Sequence, residues 1–307
     1  MRRILSLASV LCFILAFEVH AEQYQLPPNG GSIIGQLVII SAQDEDTFLK
    51  LGRRFDIGFQ ELVIANPKVD PWLPGEGTQV VIPTRYILPN TKREGIVLNL
   101  AEMRLYYYPK SSNGKPEFVH TYPISIGRDG WTTPHSQTRI ITKAKNPTWY
   151  PPESIRKEHE EKNDPLPNSV PPGPDNPLGK YALKLAISGY LIHGTNEPRG
   201  IGMKVTHGCI RLHPNDISDL FNRVSINTPV TIINQPYKFA WYNNKLYGEM
   251  HPNEGDESTA VSRNLTQFVR AIIAVTEPNK SYTVNWEHAS HLTKHKTGLP
   301  MVVGLRR

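Results

Sequence analysis

Apolar and polar positions along this chain recur in two periods, and the switches between them outline its elements. Leu37-Val38-Ile39-Ile40 is an apolar run of strand length. Asp46-Thr47 then opens a helix in which Phe48, Leu51 and Phe55 recur at helical spacing. Phe59, Leu62 and Ile64 mark a second helix that closes at Asn66-Pro67. Gly75 and Gly77 lead into the closing strand Val80-Val81-Ile82-Pro83. The pattern predicts a small β-α-α-β unit over residues 37–83.

Beyond a linker with Pro89, strand periods dominate. Ile96–Leu100 and Arg104–Tyr108 flank Ala101-Glu102-Met103 as a hairpin, with Tyr106 to Tyr108 expected to alternate between core and surface. Further strands are predicted over Glu117–Ile126, Thr138–Lys143, Tyr181–Ile187 and Thr228–Ile233, the last with Pro229 at its start, where proline is tolerated. Asn215-Asp216 is placed to cap a helix through Ile217, Leu220 and Phe221. The expected class is mostly β with some helix (α+β), a β-sandwich-like domain of mixed sheets over 94–234 beside the βααβ unit.

Residues 144–178 are proline-rich and irregular. A stretch of that length reads as a rim or lid over a site, with Trp149 and Tyr150 as substrate contacts, or as a rigid packing loop. Residues 235–307 read as a polar extension with one amphipathic stretch, Leu265–Val275. Its His288, His291 and His295 are taken as solvated rather than as metal ligands.

Residues 1–21 have the layout of a secretory signal, with Arg2 and Arg3, an apolar run Ile4–Phe17, and Val19-His20-Ala21 as cleavage site. The run is short for a membrane span. Cleavage implies export to the periplasm, takes the net charge of +6 to +5 and removes Cys12. A lone remaining thiol in an oxidising compartment favours a working residue over a structural one. The basic excess suits a polyanionic wall and is too diffuse for nucleic acid. No internal repeat and no phosphate- or dinucleotide-binding glycine loop is present, and no cofactor is expected.

The chemistry gathers between Leu191 and Leu212. Tyr190-Leu191-Ile192 reads as the end of a buried strand holding His193, and a loop with Pro198, Gly200 and Gly202 returns to Thr206-His207-Gly208-Cys209. A thiol beside an imidazole supports nucleophilic acyl transfer. Gly208 admits a close backbone approach, so the amides of Gly208 and Cys209 are candidate oxyanion donors. Spacing does not rank His193 against His207 as base. A metal set of His193, His207, Cys209 and His213 is the rival, although its spacing is irregular for zinc.

These residues resemble the signature of the L,D-transpeptidase catalytic domain of the YkuD type, which has H-G-T, a loop, then [ST]-H-G-C-[IV]-R-[LM]. The chain has His193-Gly194-Thr195 and Thr206-His207-Gly208-Cys209-Ile210-Arg211-Leu212 without departure, and Thr133-Pro134 is similar to a pair usual in that family. The resemblance implies Cys209 as nucleophile, His193 as general base oriented by the Gly194 carbonyl, and His207, Gly208, Cys209 and Thr206 shaping the oxyanion pocket. Arg211 would organise the site, hold a carboxylate, or form a structural ion pair. No metal is implied.

The 37–83 unit resembles a LysM module, with Glu45 where glycine is usual, which implies binding to glycan strands of peptidoglycan. The whole layout is similar to periplasmic enzymes that release D-alanine from a tetrapeptide stem. Such enzymes pass the acyl group to a lysine amine of an outer-membrane lipoprotein or to diaminopimelate. A wall-binding LysM protein and a hydrolytic relative, carboxypeptidase or amidase, are the alternatives.

Overall fold

The structure is a computed structural model that describes residues 22–111, 114–252, 261–277 and 281–306. The expected signal segment lies outside the described residues. Among the described residues no helix is long and apolar enough to cross a membrane.

The centre is a nine-stranded mixed sheet. Its strands run in the order Glu22–Gln25, Phe118–Pro123, Arg104–Tyr108, Gly95–Asn99, Pro229–Ile233, Ser136–Lys145, Tyr181–Leu185, Leu191–His193 and Ile210–Arg211. Two pairings are parallel, Pro229–Ile233 with Gly95–Asn99 and Leu191–His193 with Ile210–Arg211. A short parallel ladder joins Ile126–Gly127 to Lys204–Thr206. The α+β class expected from the alternation is the one observed.

Both faces of the hairpin Gly95–Tyr108 are covered, and this corrects the reading of the tyrosines. Ile96, Leu98, Leu105 and Tyr107 enter one core with Ile192, Ile210, Ile217 and Leu220. The opposite parity, Val97, Tyr106 and Tyr108, enters a second core with Phe48, Leu51, Leu62, Val80 and Ile82. All three tyrosines are buried, because the alternation runs between two cores rather than between core and solvent.

That second core belongs to the N-terminal module. Strands Val38–Ser41 and Gln79–Ile82 pair antiparallel around helices Phe48–Phe55 and Phe59–Ala65. A second ladder, Ile33–Gly35 with Arg85–Ile87, extends the unit. Thr47 caps the first helix, its hydroxyl accepting from the Lys50 amide at 3.2 Å, as a helix-opening threonine should. The module docks on the sheet through fully buried Arg104. Its Nε and Nη2 donate at 2.9 Å to the two oxygens of Glu61. It also donates to the Asp56 carbonyl and the Thr121 hydroxyl.

The C-terminal residues are not a polar extension. Tyr237–Tyr242, Lys245–Met250, Met301–Arg306 and Tyr282–Val284 form a four-stranded antiparallel sheet, covered by helices Val261–Thr276 and Trp286–His295. Tyr237, Phe239, Leu246, Phe268 and Leu292 form its core. The apolar positions alternate with Lys238 and Glu249, which are buried as ions, and this lowers the average hydropathy of strands that are mostly buried. Lys238 Nζ lies 2.6 Å from both Glu102 and Glu249. The Ile87 amide donates to Glu249 and Asn99 to Glu102. One ionic cluster thus ties module, central sheet and C-terminal unit together. In the second helix His288 Nδ1 donates to the Val302 carbonyl, while His291 and His295 pack ring on ring at 4.1 Å.

Candidate active site

His193 ends the strand Leu191–His193, whose parallel register pairs Ile192 with Ile210 and His193 with Arg211. Ile192 and Ile210 point into the core, so the strand alternation turns His193 and Arg211 to the other face. Cys209 directly precedes Ile210, and the Arg211 charge acts on both its thiol and the His193 imidazole.

His193 is buried, and its Nδ1–H donates to the Gly194 carbonyl at 2.7 Å. That bond fixes the tautomer and leaves the Nε2 lone pair as acceptor. Burial, reinforced by the Arg211 charge, lowers its pKa to about 4, against a small opposing pull from Gly194. Burial raises the Cys209 thiol, partly offset by the Leu191 backbone and Arg211. Sγ sits 3.6 Å from the Gly189 carbonyl. The resting pair is thus a neutral thiol and a neutral imidazole, and the proton moves when the thiol attacks. Among the described residues Arg211 Nε is buried without a hydrogen-bond partner, which leaves donor capacity beside the thiol.

The turn before Cys209 is held by two threonines. Thr206 Oγ1 donates to the Cys209 carbonyl at 2.6 Å and accepts from the Gly208 amide at 3.2 Å. Thr133, buried and unassigned by residue chemistry alone, donates to the Gly208 carbonyl at 2.8 Å. Gly208 has φ +98°, and a Cβ there would come within 3.2 Å of the Tyr190 ring, so only glycine fits without strain. Of the two amides expected to serve as oxyanion donors, that of Gly208 is already engaged by Thr206, which leaves the Cys209 amide as the candidate.

His207 departs from the expected grouping. Its ring packs edge-on against Trp131 at 4.7 Å, and its Nε2 lies 3.0 Å from both Glu158 Oε2 and Arg128 Nη2. Burial and Arg128 lower its pKa, with Glu158 opposing. Glu158 belongs to a helix, Glu153–Glu161, inside the stretch expected to be irregular. The run Glu153 to Glu161 after Pro152 is made of helix formers, and this was the available signal. Around it the proline-rich stretch is ordered by a Trp149–Val170 bridge and by Asn176, whose amide reaches the carbonyls of Pro147, Val170 and Pro171. Trp149 is half-buried in that bridge and Tyr150 is exposed.

The four side chains weighed as a metal set have separate partners. His213 caps the helix Pro214–Arg223, its Nδ1 accepting from the Asn215 amide at 3.4 Å, in the place expected for Asn215-Asp216. Among the described residues the only close group of potential ligands is Glu102, Glu249 and His251, and there Lys238 already supplies the cation.

A thiol after a glycine turn, a tautomer-fixed histidine, and an arginine acting on both suit cysteine acyl transfer. Residues 93–232 match the family model described as YkuD, L,D-transpeptidase catalytic domain. The Escherichia coli K12 protein called probable L,D-transpeptidase ErfK/SrfK is 43% identical over 246 residues, covering 78% of this chain and 76% of that one. YcfS of the same organism is 43% identical over 229 residues, covering 73% and 70%, and YbiS 43% over 221, covering 71% of each. The catalytic domain of the E. faecium L,D-transpeptidase solved by NMR aligns over 47% of this chain and 100% of its own, at 20% identity and a TM-score of 0.35. The chain belongs to the L,D-transpeptidase family and is a cysteine-dependent enzyme of that class.

Proposed function

We propose that this enzyme acylates Cys209 with a peptidoglycan tetrapeptide stem and hands the acyl group to an amine. Cys209 Sγ attacks the stem carbonyl that is joined to D-alanine, and His193 Nε2 takes the thiol proton. His193 then returns a proton to the departing D-alanine nitrogen, which leaves a thioester. An amine attacks the thioester with its proton passing to His193, a peptide bond forms and the thiol is restored. The negative oxygen of each tetrahedral intermediate is received by the Cys209 amide, and Arg211 takes a stem carboxylate through its spare donors. A positioned base is worth ~10²–10⁴-fold and one oxyanion donor about 3 kcal/mol. The observation that carries this reading is the Nδ1–H bond from His193 to Gly194, which leaves the Nε2 lone pair to take a proton, with Arg211 acting on both His193 and Cys209.

In the same reading residues 1–21 direct the chain to the periplasm, and the 37–83 module is a LysM-like glycan holder beside the 94–234 catalytic domain. The acceptor is the lysine amine of an outer-membrane lipoprotein or the side-chain amine of diaminopimelate. The test supplies purified tetrapeptide muropeptide with a lysine-ending peptide, diaminopimelate, or neither, and follows D-alanine and products. Amide products with D-alanine release support amine transfer. Tripeptide alone in every mixture would identify a hydrolase instead, and no D-alanine release at all would reject the acylation.

A further inference from the structure

His207 Nε2 has two neighbours that cannot both be satisfied. Arg128 Nη2 offers a hydrogen from 3.0 Å, and Glu158 Oε2 asks for one from 3.0 Å. A neutral imidazole nitrogen carries either a hydrogen or a lone pair, never both. We propose that Glu158 is a positioning residue that fixes the proton of His207, so that seating and releasing the helix Glu153–Glu161 leave this histidine in opposite tautomers.

The carboxylate decides the competition while it is present. Glu158 pairs with Arg128 and with Lys162, which caps the end of its helix. These contacts, first that of Arg128, hold its pKa down at about 2, so it faces His207 as a charged, acceptor-only group. An anion set against a lone pair is repelled, so Nε2 carries the hydrogen and donates it to Glu158. Arg128 turns its own donor to Glu158 Oε1, where the two already pair. When the helix lifts, Arg128 keeps Nε2 as its acceptor at this place. Nε2 then gives its proton to solvent, Nδ1 takes one up, and the ring charge does not change.

The arrangement gives the proline-rich stretch a role in the site. Asn176 and the Trp149–Val170 bridge close the base of that stretch, and through Glu158 its helix reaches the Thr206–Cys209 turn. His207 is two residues from the thiol, and Trp131 holds its ring from the side. A cover that lifts would therefore alter the hydrogen-bonding character of the residue that leads into the nucleophile.

The test is NMR of the ring nitrogens in full-length protein labelled with 15N-histidine at neutral pH, His207 being assigned with a His207→Gln variant. Wild type is expected to show the Nε2–H pattern for His207. Glu158→Ala should convert it to Nδ1–H, and Arg128→Ala should leave it Nε2–H, whereas a merely structural pair would respond alike to both. Glu158→Gln, which retains an accepting oxygen, should keep Nε2–H and serves if the alanine variant folds poorly, with the Nδ1–H signal of His193 reporting an intact site. An Nδ1–H wild type, or an unchanged tautomer in Glu158→Ala, would overturn the proposal. Its bearing on turnover rests on Cys209 acylation. Glu158→Ala should slow D-alanine release ~10-fold with Glu158→Gln partly restored. A wild type that releases no D-alanine would refute the acylation reading while the NMR result stands by itself.

Discussion

Arg104 of the central sheet and Glu61 of the N-terminal module meet through two hydrogen bonds of 2.9 Å, both residues shielded from water. Glu61 Oε2 also accepts from the Gly58 amide at 2.7 Å, so one carboxylate closes the start of a module helix and pairs with the sheet. Removing one partner of such a pair strands the other charge in the interior. Glu61→Ala is expected to cost about 3–5 kcal/mol. A urea titration followed by tryptophan fluorescence should show the fall in midpoint, with Glu61→Gln losing less because it still accepts from Gly58 and Arg104.

The module also touches the loop that leads to the thiol. The amides of Phe59 and Gln60 donate to the carbonyls of Ile201 and Gly202, at 3.4 and 3.1 Å. Gly202 has φ +81°, and a Cβ there would lie 2.4 Å from both Gly58 Cα and the Phe59 nitrogen. Both counts forbid a side chain. Gly202→Ala should push the module off this loop, lowering the melting temperature and slowing D-alanine release together. Alanine at Gly77, which has φ +80° but open space around it, is the control for backbone strain without the clash.

Lys238 neutralises Glu102 and Glu249 at the junction of all three parts of the chain. Lys238→Met would leave two carboxylates buried without their cation and is expected to cost about 3–5 kcal/mol or more. Proteolysis that separates the C-terminal unit faster in the variant than in wild type would check this, and equal rates would count against the junction.

The pH dependence of acylation follows from His193. It must be neutral to take the thiol proton, and burial with Arg211 lowers its pKa to about 4. Activity should therefore hold as pH falls through 6.5, the ordinary histidine range, and be lost only near pH 4. Arg211→Met removes a charge that lowers this pKa, so its acid limb should move upward. The rate of D-alanine release against pH in the two proteins measures the shift.

Much of the site was legible because its chemistry is local. His193, Gly194, Thr206, Gly208 and Cys209 lie within seventeen residues, and the apolar run Tyr190–Ile192 leads into the strand that His193 ends. The partners of His207 were not legible. Arg128 and Glu158 stand 79 and 49 residues upstream, and no periodicity joins a helix in a proline-rich stretch to a turn after a distant strand. The tyrosines were misread for a related reason. Alternation shows that a strand has two faces, but the second face of Arg104–Tyr108 is covered by the N-terminal module, whose 37–83 core pattern alone places in a separate unit. In the C-terminal unit, Lys238 and Glu249 disguised buried strands as polar ones, since each ion is acceptable inside only because of the other.

The central claim is that Cys209 carries the acyl group and His193 moves its proton. The most direct measurement is the intact mass of the purified protein after brief incubation with tetrapeptide muropeptide, beside Cys209→Ala and His193→Ala. A gain equal to the stem without D-alanine is expected in wild type, absent in Cys209→Ala and reduced to a trace in His193→Ala. The same adduct on folded Cys209→Ala, or no adduct and no D-alanine release from folded, reduced wild type, would contradict the account.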